Sequence, residues 1–154
     1  MSLHTAKIVW KSDSAASFQS KRYSRAHTWN FDGGIEVPAS ASPHVVRPPL
    51  SVENAVDPEE AFVASAASCH MLTFLWLAAK AGFVIGSYED NATGELTKNS
   101  QGREWISKIT LNPKITWEGE HLPTPQDLED LHHSAHSECY IANSIKSEII
   151  VNWN

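Results

Sequence analysis

The run DPEEAFVASAASCHMLTFLWLAAKAG, residues 57–82, decides the fold. Asp57 can cap the N-terminus of a helix, Pro58 suits its first turn, and Glu60 completes a capping box with Asp57. Glu59 and Glu60 also sit at the positive end of the helix dipole. The helical pattern continues to Lys80-Ala81, where Gly82 is placed to end it. Phe62, Val63, Ala66, Ala67, Leu72, Phe74, Leu75, Trp76 and Leu77 together cover nearly every face. A helix apolar all round belongs in the centre of a molecule. Ala61–Ala79 is 19 residues without a formal charge, about the length that spans a bilayer. Its Ala and Ser content, the His in its middle and the acids just before it point instead to the buried central helix of a soluble protein, with no membrane partner.

Upstream of this helix the chain reads as β. Lys7–Trp10 alternates, and Lys21–Phe31 sets Tyr23, Arg25, His27 and Trp29 against Ser24, Ala26, Thr28 and Asn30. Asp32-Gly33-Gly34 is a hairpin turn, because Gly accepts positive φ without steric cost. Ile35–Ala39 returns as a strand, and the Pro-rich stretch Ser42–Leu50 is a loop. Downstream, Phe83–Thr97 and Arg103–Trp117 read as two strands joined by Asn99-Ser-Gln-Gly102. Thr124-Pro125-Gln126-Asp127 starts a second helix reaching about Cys139, and Ile145–Trp153 closes as a strand. The order is β-β-α-β-β-α-β with no internal repeat or linker, which predicts a single α+β domain over residues 1–154.

Composition narrows the function. The apolar fraction of 42% and charged fraction of 19% are those of a folded protein. A formal net charge of −6, with no basic run, argues against a nucleic-acid partner. Met1–Lys7 has no apolar stretch to serve as a signal peptide, so a cytoplasmic location is expected. Phosphate-binding glycine loops and the G-x-S-x-G elbow are absent from the sequence, so nucleotide binding and serine hydrolysis lack local support, and no cofactor is expected.

Two cysteines, Cys69 and Cys139, stand 70 residues apart in no C-x-x-C pairing. Each alone also reads as a small buried hydrophobe. Leu128, Leu131, Ala135 and Cys139 form one stripe of the second helix, which carries Cys139 inward toward the helix bearing Cys69. His132, His136 and Cys139, with Cys69, make a second arrangement of tetrahedral metal-ligand type; no metal is the main expectation. A reactive cysteine needs a lowered pKa, and apolar neighbours raise it. Cys69 therefore needs a cation from elsewhere in the fold, Arg25 or Arg47, with Glu59 or Glu60 available to orient it.

Val56-Asp-Pro-Glu-Glu60, Ser68-Cys69-His70 and His136-Ser-Glu-Cys139-Tyr-Ile-Ala-Asn-Ser144 resemble the OsmC/Ohr family. Tyr23-Ser-Arg-Ala-His27 with Asp32-Gly-Gly34 is similar to one OsmC-like subgroup, and the likeness runs from about Tyr23 to Trp153. The resemblance implies an intertwined homodimer of α+β subunits with central helices and sites at the subunit interface. It also implies reduction of organic hydroperoxides by a Cys pair, with electrons from a dithiol such as a dihydrolipoyl protein, the alternative being a non-catalytic OsmC-like redox-sensing or small-molecule-binding protein. Cys69 matches the peroxidatic Cys, Cys139 the resolving one, and Glu59 the family Glu. Arg25 matches a strand arginine and Arg47 a loop arginine, Arg25 being favoured. In one unbroken helix Glu59 and Cys69 lie about 15 Å apart along the axis and roughly 80° apart around it. Glu59 is therefore expected to serve the Cys69 of a second subunit.

Overall fold

The structure, a computed structural model, describes residues 1–153. They form two compact units, residues 1–61 and 62–153.

In the first unit, β1 (Ala6–Val9), β2 (His27–Phe31) and β3 (Glu36–Ala39) make an antiparallel sheet in the order β1-β2-β3. Ile8, Trp29 and Val37 stand opposite one another across its three strands. The Asp32-Gly33-Gly34 turn joins β2 to β3. Gly34 takes φ +79° there, and its N–H donates to the Phe31 carbonyl at 3.0 Å. Two features depart from the sequence pattern. Residues 21–26 are not strand, although they alternate: Lys21 has φ 62°, and the Arg25 N–H donates to Leu50 O at 2.9 Å rather than to a neighbouring strand. A short helix, α1 (Ala15–Gln19), precedes them, capped by the Ser14 hydroxyl, which accepts from Ser17 N. The cause is aromatic packing. Trp10, Phe18 and Tyr23 contact one another with centroids 5.0–5.7 Å apart, drawing residues 10–23 into a compact turn.

α2 runs unbroken from Pro58 to Lys80. Its start is the capping box expected: Asp57 Oδ1 accepts from Glu60 N at 2.7 Å, and Asp57 N donates to Glu60 Oε2 at 3.3 Å. Gly82, at φ +86°, follows its end. By length and composition α2 could cross a bilayer. Within the chain, however, only one stripe of it is fully buried: Ala66, His70, Phe74 and Ala78. On another face Leu72 is 61% exposed and Trp76 55%. The expectation of a helix buried on every side is thus met on a single side by this chain alone.

In the second unit the two long strands expected after α2 are each divided. β4 (Val84–Asp90) and β5 (Thr93–Lys98) replace the first, β6 (Glu104–Leu111) and β7 (Pro113–Glu118) the second. β4 pairs with β7, while β5, β6 and a final strand β8 (Glu148–Val151) form another sheet, with β6 and β8 parallel. The two breaks lie side by side and are tied together: Asn112 N donates to Asp90 Oδ1 and Asn112 Nδ2 to Asn91 O. A turn that satisfies its own backbone this way can leave one ladder and enter another. α3 (Pro125–Glu138) begins with a Thr124–Asp127 capping box and ends at Cys139 as its C-cap. A short 3₁₀ turn, Ala142–Ser144, leads to β8.

The buried stripe of α2 belongs to two cores. Ala66 packs with Ile109 and Leu111 of β6. Phe74 and Ala78 pack with Phe83, Leu131 and Ala135, joining α2 to α3. Phe74 is fully buried, so Phe74→Ala should destabilise the protein by about 3–5 kcal/mol, read as a lower midpoint in urea unfolding.

Candidate active site

Cys69 and Cys139 are both free thiols, Cys69 half-buried and Cys139 buried. Helix α2 presents Cys69 beside the buried stripe, one residue before His70, and the Thr73 hydroxyl closes on its carbonyl at 2.9 Å. Cys139 stands where α3 stops: its N–H still donates to Ala135 O at 3.0 Å, but ψ has turned to 116°. Asn143 fixes the exit, its Nδ2 donating to Ser137 O at 2.8 Å and Cys139 O at 3.0 Å. The same turn brings the Ala142 N–H to 3.4 Å from Cys139 Sγ. The two cysteine side chains are close enough for Cys69 to shift the Cys139 thiol.

Burial pushes the Cys139 thiol up, and the neighbouring Cys69 adds to this, against a downward pull from the Ala142 and Ile141 N–H groups. Cys139 therefore holds its proton more tightly than a free thiol. Cys69 is the more accessible of the two. Such an arrangement suits Cys69 for attack on an incoming electrophile and Cys139 for the second step.

Of the other residues expected at the site, Arg25 lies in the first unit. Its guanidinium is 3.9 Å from the centre of the Tyr23 ring, and Nη1 donates to Tyr23 O at 2.5 Å. It borders a hollow of about 450 Å³ with Ile8, Trp10, Phe18, Tyr23 and His27. His27 is committed: Trp29 Nε1 donates to its Nε2 at 2.9 Å, so Nδ1 carries the proton and donates to Arg25 O at 2.8 Å. Glu60 is engaged in the capping box, while Glu59 is exposed. Among the described residues the one ion pair is Lys108–Glu95, so neither Glu59 nor Arg25 is ion-paired there. Arg47 is exposed in the Pro-rich loop.

The metal-type set is not assembled. His132 is buried and bonded to His70, and His136 is exposed. Among the described residues no group of three or more His, Cys, Asp or Glu is placed to hold a metal ion.

What sequence patterns did not reveal is the partner of His132. His70 Nε2 and His132 Nδ1 lie 3.1 Å apart, with the rings within 3° of parallel. His132 is further stacked between Phe74, at 4.3 Å, and Trp153, at 4.9 Å. The two histidines stand 62 residues apart in the chain. A four-residue period from Ala66 through His70 to Phe74 was the only available signal that His70 faces inward.

The chain belongs to the OsmC family: the family model for OsmC-like protein matches residues 51–154. Across the whole chain it is similar to an OsmC-like protein of unknown function from Vibrio cholerae, at 53% identity, covering 99% of each chain with a TM-score of 0.95. The fold is also that of an OsmC-like protein from Mycoplasma pneumoniae, 18% identical over 98% of this chain and 95% of that one, TM-score 0.72. An organic hydroperoxide resistance protein from Elizabethkingia anophelis shares it at 17% identity over 97% and 94%, TM-score 0.67. No curated protein sequence matches the chain.

Burial lowers His70 from 6.5 to about 4, with the charge of His136 adding to the effect, and lowers His132 to about 4 through burial and His70. Between those values the unfolded chain binds protons that the folded chain does not. Their contribution is complete above about pH 6.5 and lost as pH falls toward 4. Melting temperature should therefore drop across that window more steeply than in a His70→Leu/His132→Phe variant, measured by circular dichroism.

Proposed function

We propose that this protein is a thiol peroxidase that reduces organic hydroperoxides through Cys69 and Cys139. The observation that carries this is a pair of free thiols from two helices brought together, one half-buried and the other buried. The thiolate of Cys69 attacks the distal oxygen of the hydroperoxide. The O–O bond breaks, Cys69 becomes a sulfenic acid, and the alkoxide takes a proton and leaves as the alcohol. Cys139 then attacks the Cys69 sulfur, releasing water and forming a disulfide. An external dithiol, of which a dihydrolipoyl protein is one example, returns both to thiols by exchange. Such a cycle fits a cytoplasmic setting, where thiols are kept reduced. Membership of the OsmC family and the fold shared with a hydroperoxide resistance protein support the same chemistry.

Arg25 is the cation proposed to hold the Cys69 thiolate, and Glu59 the acid that orients it. Neither has a charged partner within the described chain, and Leu72 and Trp76 leave an apolar face of α2 uncovered. A second copy of the chain answers both needs, since a C₂ pair buries the same surface twice. Because α2 has no break, Glu59 is assigned to the partner subunit's site rather than its own.

Consumption of cumene hydroperoxide with a dithiol should be present in the wild type and absent in Cys69→Ser. Cys139→Ser should turn over once and stall as oxidised Cys69, seen by mass spectrometry. Equal single-turnover reactivity in both variants would remove the assignment of roles. In the dimer, mixing Glu59→Gln with Cys69→Ser chains should regenerate one intact site per heterodimer and recover activity that neither parent has. A fully active monomer would end the shared-site proposal.

A further inference from the structure

His70 occupies the point on α2 between the two hydrophobic cores, and its ring reaches α3 at His132 Nδ1. One proton serves that bond. If His70 Nε2 carries it, the neutral His132 is protonated at Nε2 and His70 Nδ1 is a bare lone pair. If His132 Nδ1 carries it, the assignments reverse. Either way one N–H and one lone pair remain, and these outer atoms, His70 Nδ1 and His132 Nε2, are buried without partners. An unsatisfied buried polar group is destabilising, whereas apolar side chains of the same shape would carry no such cost. Space-filling alone is a poor reason for two imidazoles here.

What the bond supplies and packing does not is direction. Around it, α2 and α3 meet through small or apolar side chains, Ala78, Phe74, Leu131 and Ala135. Hydrophobic burial has no preferred angle or register. A hydrogen bond at 3.1 Å between buried rings tolerates little sliding or rotation. Cys69 is the residue next to His70, about 100° around the helix, and Cys139 follows His132 by two turns, about 10.5 Å along α3. Fixing one ring to the other fixes the backbone beneath both sulfurs.

We infer that the His70–His132 hydrogen bond is a register lock that positions Cys69 and Cys139 for disulfide formation. Its part in turnover rests on the peroxidase proposal; its effect on the thiol pair does not. The two histidines are positioning residues and touch no reacting atom.

The test uses diamide as oxidant, so it reads disulfide formation whether or not the protein reduces peroxides. Reduced protein is mixed with diamide, quenched by alkylation and analysed by mass spectrometry, at a temperature where circular dichroism shows each variant folded. His132→Phe keeps the stack with Phe74 and Trp153 but removes Nδ1. His70→Gln keeps an N–H donor near the position of Nε2. His70→Leu/His132→Phe leaves no unpaired imidazole nitrogen and provides the answer should His132→Phe alone not fold. Formation of the Cys69–Cys139 disulfide should slow about tenfold or more in His132→Phe and in the double variant, as expected for a misplacement on the order of 1 Å. His70→Gln should stay within about threefold of wild type, because the lock needs the bond and not the ring. A tenfold weaker disulfide would raise the reduction potential by about 30 mV in the double variant. Wild-type rates in the double variant would overturn the lock and make the pair a packing feature. Loss in His70→Gln equal to that in His132→Phe would overturn it too, pointing to proton transfer between the rings.

Discussion

The constraint on which the rest depends is the way α2 is shared out. A helix with apolar residues on every face cannot be surrounded by a chain of this size in two thin cores. This one gives its own chain a single four-residue stripe, from Ala66 to Ala78. Small residues at both ends of the stripe let β6 and α3 approach closely, and Phe74 fills the space between them. Leu72 and Trp76 are left facing outward. Cys69 sits at the border between the buried stripe and the uncovered face, the position that the proposed cycle asks of its attacking thiol. A cysteine on the stripe would be inert in an apolar setting, and one fully outside would have no protected partner.

The two cysteines are unequal because their backbones are. Cys69 lies inside an unbroken helix, with its amide and carbonyl already engaged. Cys139 lies at a helix end, where freed N–H groups from Ala142 and Ile141 reach its sulfur. Burial outweighs those contacts, so Cys139 holds its proton. In a two-cysteine cycle the second thiol should not compete for the oxidant, and a buried, protonated Cys139 meets that requirement.

Much of this was legible in residue patterns wherever one local rule governs. Both long helices announce themselves through caps, Asp57 with Glu60 and Thr124 with Asp127, because capping is a contest among a few adjacent groups. The Asp32-Gly33-Gly34 turn is legible for the same reason. Residues 21–26 misled because alternation is also what an aromatic cluster produces when Tyr23 turns back on Trp10 and Phe18. The corners at Asn91 and Asn112 were hidden because each is stabilised by a contact some 20 residues away. Cys139 was placed inward by its stripe with Leu131 and Ala135, but no spacing could show that it meets Cys69.

His70 and His132 mark the same boundary between local and distant rules. As single residues both read as candidates for solvent, a metal or a helix cap, and the eight histidines of the chain made their pattern unremarkable. Their meaning arises from pairing across two helices, in a region where most other contacts are apolar and hence permissive. Apolar packing decides that α2 and α3 associate. A directional bond is needed to decide at which residue they do so, and a sulfur–sulfur hydrogen bond is too weak to serve. The thiol pair is therefore better understood as the consequence of helix register than as its cause, and the register is set where the buried His70–His132 hydrogen bond lies, one residue from Cys69.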